Sequence, residues 1–291
     1  MSNVFEELVA SPNALEKLVS GFEFTEGPAW NAALGYLVFS DIPNDMMWRW
    51  SPDAGLARYR QASNKANGNF YDGDHRLITC EHATSRVVRE LPDGGLEVLA
   101  DHFENLELNS PNDVVVDRDG AIYFTDPTYG RQDYVGVPRP VPQPRRGVYR
   151  IASSGEVELV SDAFVQPNGL CFSPDGSRLY VNDTERMNIS VFSVADGRPS
   201  APGRVFADVS GEGEGGPDGM RVDEFGNVWC TGPGGLHVFD ATGQHIGHLP
   251  VPEVVGNFAW GGAEMRSLFI CASSSLYRIE TSVRGHHPFI D

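Results

Sequence analysis

Residues 112–126 read Asn112-Asp-Val-Val-Val-Asp-Arg-Asp-Gly-Ala-Ile-Tyr-Phe-Thr-Asp126. A polar residue opens a short β-branched run, Arg118-Asp119-Gly120 turns the chain, and a second apolar run closes on an acid. Val, Ile, Tyr, Phe and Thr suit a pleated, half-buried surface, and Asp-Gly is a hairpin turn, so the stretch reads as two antiparallel strands. The same unit returns as Asn168-Gly-Leu-Cys-Phe-Ser173, Pro174-Asp-Gly176 and Leu179-Tyr-Val-Asn-Asp183, and again as Asp218-Gly-Met-Arg-Val-Asp223 through Asn227-Val-Trp-Cys-Thr231. Upstream it appears as Glu26-Gly-Pro-Ala-Trp30 with Tyr36-Leu-Val-Phe-Ser-Asp41, and as Asn67-Gly-Asn-Phe-Tyr-Asp72 with Leu77-Ile-Thr-Cys-Glu81. A weaker copy runs from Asn257-Phe-Ala-Trp260 to Leu268-Phe-Ile-Cys-Ala272.

The opening residues stand at 26, 67, 112, 168, 218 and 257, with steps of 41, 45, 56, 50 and 39 residues. Repeats of this length with two hairpins each are the mark of propeller blades. Third strands are readable at 47–50, 86–90, 147–151, 189–192 and 236–239. The sixth unit ends with its third strand at 275–280, and the segment 15–24 ahead of the first unit can supply the missing outer strand. That pairing closes the ring and leaves no open edge. The expectation is an all-β, six-bladed β-propeller with four-stranded blades, a single domain over residues 1–291.

Composition agrees and excludes. The chain has 291 residues, is 41% hydrophobic and 10% aromatic, and so is not a disordered chain. Its 32 glycines and 20 prolines suit many tight turns. With 22 Lys and Arg against 40 Asp and Glu, the net charge of -18 argues against a nucleic-acid partner, whose phosphates need a basic face. The four cysteines, Cys80, Cys171, Cys230 and Cys271, form no zinc or redox spacing and read as buried free thiols. The N-terminal stretch carries Glu6 and Glu7 where a secretory signal has basic residues, and no window approaches the roughly 18 apolar residues of a membrane span. The expectation is a cytoplasmic protein that binds no membrane.

In a propeller the first strand of each blade lines the central channel, so the openers Glu26, Asn67, Asn112, Asn168, Asp218 and Asn257 gather at one mouth. All six carry a side-chain oxygen. Two carboxylates with several amides suit a hard cation, Ca²⁺ before Mg²⁺, and suit a thiolate-seeking metal poorly. The competing reading is that Asn and Asp start strands because they cap turns. Asp41, Glu81, Asp126 and Asp183 end the second strands near the same mouth. Most read as turn acids or as partners that orient ligands, with Asp126, beside the long Pro-rich connection 127–146, the candidate for substrate contact. His82 follows Glu81 and can touch a ligand or be structural. No zinc-binding histidine pair, G-x-S-x-G elbow or phosphate-binding loop occurs.

Five segments, Phe24-Thr-Glu-Gly-Pro28, Ser110-Pro-Asn-Asp113, Tyr123-Phe-Thr-Asp126, Pro167-Asn-Gly-Leu170 and Gly216-Pro-Asp-Gly-Met220, resemble the gluconolactonase and regucalcin-like (senescence marker protein) family of six-bladed propellers. The resemblance runs from about residue 15 to 280. It implies one divalent cation held by Glu26, Asn168 and Asp218, with Asp218 also the acid/base residue. It implies substrate contact at Asn112 and, more loosely, at Tyr129. Regucalcin-type members carry an Arg two positions before that Asn; here Ser110 stands there, as in bacterial gluconolactonases. The implied chemistry is metal-dependent opening of a lactone ester, with a sugar lactone such as gluconolactone as the small-molecule substrate. Ca²⁺ is the expected cation, with Mg²⁺, Mn²⁺ and Zn²⁺ as alternatives. Tyr129 and Trp260 are candidates for an apolar wall. Two other readings stand beside this one: a non-catalytic propeller that binds Ca²⁺ or a partner, and a related ester or phosphotriester hydrolase.

Overall fold

The computed structural model describes residues 7–9, 11 and 14–290. Residues 1–6, on which part of the leader reading rests, lie outside these. Among the described residues the chain forms six four-stranded antiparallel sheets and one small two-stranded hairpin. Each sheet is one repeat. Blade 1 is Thr25–Asn31, Tyr36–Asp41, Met46–Ser51 and Gly55–Gln61. Blade 2 is Ala66–Tyr71, Leu77–Glu81, Arg86–Glu90 and Leu96–Ala100. Blade 3 is Val114–Val116, Ile122–Asp126, Gly147–Ile151 and Val157–Ser161. Blade 4 is Pro167–Phe172, Arg178–Asp183, Asn188–Ala195 and Arg198–Asp208, and blade 5 is Met220–Val222, Val228–Gly232, Gly235–Phe239 and His245–Pro250. Blade 6 combines Val255–Gly261, Ser267–Ala272 and Ser275–Glu280 with Glu16–Ser20, which pairs antiparallel with Ser275–Glu280. The ring therefore closes between the two ends of the chain, and every blade has its fourth strand.

Inner and second strands are buried on both faces, as Leu37, Val38 and Phe39 in blade 1 and Tyr123 and Phe124 in blade 3 show. These side chains meet between blades, as when Phe269 of blade 6 stacks on Trp30 of blade 1 at 5.5 Å between centroids. Burying both faces accounts for the near-continuous apolar runs that made the repeat readable. All four cysteines are free and buried in this packing.

The inner strands approach one another closely at their openings because a glycine follows the opener in four blades. In blade 2, Gly68 N–H donates to Asn112 O at 2.8 Å, and a Cβ at Gly68 would lie 2.5 Å from that oxygen. In blade 4, Gly169 N–H donates to Asp218 O at 2.9 Å, with 2.1 Å for the same hypothetical Cβ. Any side chain there would push the next opener away from the axis. Asn-Gly and Asp-Gly at the blade openings are thus requirements of the tight ring.

The second-strand acids hold those openings in place. Asp41 accepts N–H bonds from Glu23 and Phe24, Asp126 from Asn109 and Ser110, and Asp183 from Val165 and Gln166. In each of these three blades the carboxylate thus satisfies two N–H groups just ahead of its own inner strand, donors that would otherwise be buried unpaired.

Candidate active site

A cavity of about 210 Å³ opens at the mouth where the inner strands begin. Five of the six openers line it: Glu26, Asn67, Asn112, Asn168 and Asp218. The sixth, Asn257, does not. In blades 2 and 4 the opener and its glycine sit inside a β-bulge, which aims the opener's side chain off the sheet. In blade 6 only Gly256 is bulged, and Asn257 stays in the ladder opposite Cys271. Its amide serves Glu26 instead: Nδ2 donates to Glu26 Oε2 at 3.0 Å, while Oδ1 accepts from Phe258 N–H.

Glu26 is 2% exposed, and its Oε2 also accepts from Gly27 N–H at 2.5 Å. Both of these donors fall on Oε2, and the carboxyl group also shares a hydrogen bond with Asp218. Asn168 Nδ2 donates to Thr184 Oγ1 at 3.1 Å, and the Thr184 hydroxyl spends its single proton on Pro217 O at 2.7 Å. The threonine can therefore only accept from Asn168, which fixes the amide with Oδ1 toward the cavity. That Oδ1 is buried and has no hydrogen-bond partner; Asn67 Oδ1 is in the same state. A buried carbonyl oxygen without a donor is costly, and two beside a pair of carboxylates point to an electropositive occupant.

The electrostatics say the same. Burial, then the negative charge of Asp113, pushes Glu26 up to about 7. Removal from water, then the facing Glu26, holds Asp218 well above the usual carboxylate range. Asp113 lies beneath the ring, 1% exposed, with Arg221 Nη1 3.2 Å from its Oδ2. That ion pair is internally balanced, so the two mouth carboxylates have no cationic side chain of their own. A hard divalent cation fits this donor set: carboxylate and amide oxygens without thiolate or free imidazole. Among the described residues no group of three or more His, Cys, Asp or Glu is placed to hold a metal; the mouth offers two carboxylates and neutral amide oxygens instead.

Phe24, Ile42, Tyr129, Val135, His82 and Thr184 complete the lining. Tyr129 begins the short 3₁₀ turn Tyr129–Arg131 in the long connection, and burial pushes its phenol up to about 12. Arg131 anchors that turn: Nε donates to Asn109 O at 2.5 Å, and Nη2 to Ser85 Oγ at 2.9 Å and to Leu108 O.

Besides Asn257, two residues expected at the mouth lie elsewhere. Asp126 does not line the cavity; it is fully buried, its two oxygens accept from Ser110 and Asn109, and desolvation raises it to about 7. Trp260 lies three residues farther down its inner strand, donates from Nε1 to Thr281 Oγ1 and packs on Trp229. Its place is between blades.

A larger cavity, about 370 Å³, opens at the opposite end of the channel among Val115, Phe172, Val194, Arg221 and His286. It has no carboxylate pair facing unpartnered amide oxygens, and size alone does not make a site.

The geometry defines a six-bladed propeller with an oxygen-lined, cation-compatible pocket at one mouth, a concave site of small-molecule size. The chain matches the family model described as the SMP-30/Gluconolactonase/LRE-like region over residues 24–274 and belongs to that family. It is 30% identical to a gluconolactonase of Zymomonas mobilis, over 93% of this chain and 82% of that protein. It is 28% identical to a pentonolactonase of Haloferax volcanii, over 91% and 93%. The structure of a gluconolactonase from Xanthomonas campestris superposes with a TM-score of 0.88 at 33% identity, covering 97% of this chain and 93% of that one.

Proposed function

We propose that the protein is a lactonase that opens the ester ring of a sugar lactone such as gluconolactone, with the substrate carbonyl at the channel mouth and one divalent cation, Ca²⁺ by preference, held by Glu26, Asn168 and Asp218. Family membership and relatives named gluconolactonase support the lactone reading. The observation that carries the cation is the pair of unpartnered buried amide oxygens beside two desolvated carboxylates. When bound, such a cation supplies Lewis-acid polarisation of a carbonyl and a lowered pKa for a neighbouring water.

The chain's own groups account for the rest. Asp218 takes the proton of the attacking water as its oxygen adds to the carbonyl carbon, and the ring C–O bond breaks with that proton returned to the departing alkoxide. The other water proton stays on the new carboxylic acid and is released to solvent as it ionises, leaving a carboxylate and a free hydroxyl on one open chain. Asn112 and the Tyr129 hydroxyl border the pocket, where they meet the hydroxyls of a sugar ring. Asn67 Oδ1 is a fixed acceptor for a substrate hydroxyl or for the water. Phe24, Ile42 and Val135 form a flank that excludes bulk water and strengthens each polar contact inside. No Lys or Arg lines the cavity, which favours a neutral lactone over one bearing a carboxylate or phosphate.

The test is proton release during hydrolysis of glucono-1,5-lactone, an aliphatic γ-lactone and an aromatic lactone by chelator-stripped protein, with and without Ca²⁺, alongside Asp218→Asn. Cation-dependent turnover of the sugar lactone, lost in the variant, is expected. Cation binding without turnover of any lactone would overturn the catalytic reading in favour of a binding propeller.

A further inference from the structure

We propose that His82 is a positioning residue of this site: as the neutral Nδ1–H tautomer it fixes the Asn67 carboxamide with Oδ1 facing the cavity, and it ties that orientation to the docked 127–146 connection. The proposal deepens the lactonase reading and rests on it for its kinetic consequences.

The hydrogen-bond chemistry leaves one solution. His82 Nδ1 lies 2.9 Å from Val135 O. A carbonyl oxygen only accepts, so Nδ1 carries a proton. The ring is 1% exposed, and burial, with the nearby Lys65 and Arg139 charges opposing a second proton, lowers its pKa to about 4. The imidazole is therefore neutral and Nε2 is bare. Asn67 lies 3.1 Å from Nε2 through its amide end. Only the Nδ2 group can donate there, so Oδ1 is turned away, into the position where it has no protein partner. Without the imidazole nothing on that side would distinguish the two ends of the amide.

The same imidazole is where the long connection docks. Val135 supplies the carbonyl. Gly130 lies directly against the ring: a Cβ there would stand 2.7 Å from His82 Cβ and Cγ and 2.6 Å from Ser110 Cβ. Arg139 Nη2 donates to His82 O at 3.2 Å, and His82 N–H is held by Lys65 O at 3.1 Å. Two residues of one connection, Val135 and Gly130, thus meet the side chain that orients a cavity amide and a third, Arg139, holds its backbone carbonyl, while Tyr129 and Val135 of that connection form cavity wall. Docking of the connection and presentation of Asn67 Oδ1 are one arrangement, with His82 as the joint.

Long-range ¹⁵N–¹H spectra of the full chain read the tautomer directly, and His82→Asn identifies its signal among the eight histidines. A protonated Nδ1 and a bare Nε2 are expected; the opposite tautomer, or a mixture, would overturn the assignment. Two substitutions then separate the roles. His82→Asn keeps a donor near Val135 O but loses the acceptor for Asn67, whereas His82→Gln places an amide oxygen near the Nε2 position and keeps it. His82→Asn should lower kcat/KM on glucono-1,5-lactone about five- to tenfold, the weight of one buried hydrogen bond. Asn67→Ala should do the same, the double variant should be no worse than either, and His82→Gln should recover most of the loss. Additive losses, or a wild-type-like His82→Asn beside an impaired His82→Gln, would reduce His82 to a structural anchor of the connection. Should the wild-type protein open no lactone, the lactonase reading fails while the spectrum still decides the tautomer.

Discussion

Two sets of carboxylates share one end of this propeller, and they differ in where their hydrogen bonds go. Asp41, Asp126 and Asp183 each accept two backbone N–H groups ahead of their own inner strand, so their charge is spent on the fold. Glu26 and Asp218 stand at the openings of inner strands; Glu26 accepts from Gly27 and Asn257 on one oxygen, and the two carboxyl groups share a hydrogen bond in a desolvated pocket beside unpartnered amide oxygens. Both sets lie at the same end of the ring, carry the same formal charge and each recurs at one fixed position of the repeat. What separates a structural acid from a functional one is hydrogen-bond saturation, and that is a property of the fold.

The contrast can be broken first by substitution. Glu26→Gln or Asp218→Asn should weaken Ca²⁺ binding by more than about 100-fold in calorimetric titration, since even residues that only orient ligands are worth about 10- to 100-fold. The same variants, freed of a desolvated charge, should melt at or above the temperature of the chelator-treated wild type. Asp126→Asn should do the reverse. It replaces one acceptor with a donor facing a buried N–H, costing about 1–3 kcal/mol of stability in denaturant unfolding, while Ca²⁺ affinity stays close to wild type. Loss of Ca²⁺ binding in Asp126→Asn with an unchanged melting temperature would erase the distinction between the two sets.

Thr184→Val sharpens it. Without the hydroxyl, Asn168 loses the acceptor that fixes its amide, and Ca²⁺ affinity should fall by roughly 10-fold with little change in melting temperature. The smallest effect is on protons. Glu26 has its folded-state pKa raised to about 7 from 4.5, so the cation-free folded state holds protons that the unfolded chain has released. Stability of the cation-free protein from this group is therefore favoured at low pH and lost as pH rises through about 7, and Ca²⁺ must displace those protons. Titrations in buffers of different ionisation enthalpy should show proton release that is larger near about pH 6 than near about pH 9. Equal release at both would mean that the carboxylates are already ionised and paired.

Much of the fold was legible because the repeat is written in residues whose reasons are local: β-branched runs for two-sided burial, Asp-Gly for turns, Asn-Gly where one blade's backbone touches the next. Even the closure by Glu16–Ser20 followed from counting strands in the last unit. The site was legible only as far as the repeat carried it. Register placed Glu26, Asn67, Asn112, Asn168 and Asp218 at one mouth, but it could not show that Asn257, paired opposite Cys271, turns its amide to Glu26 instead of the cavity. Asp126 was misread because adjacency to a long connection says nothing about which N–H groups its oxygens accept. Ile42, His82 and Thr184 share a repeat position, the residue after the second-strand acid, of which only His82 was singled out, whereas Phe24 and Val135 come from connections outside the repeat. A signal for Asp113 and Arg221 was present. Asp113 stands where four other blades have glycine, and Arg221 interrupts an apolar inner strand; together they form the buried pair under the ring.

The central claim is that the oxygens left open by the fold are the ones that hold the cation. It is tested most directly by crystals grown with Mn²⁺ as an anomalous stand-in for the native ion. The account predicts one peak, bounded by oxygens of Glu26, Asn168 and Asp218, on the side to which Asn67 Oδ1 points. A peak beside Asp41, Asp126 or Asp183, or no peak with that pocket fully ordered, would contradict it.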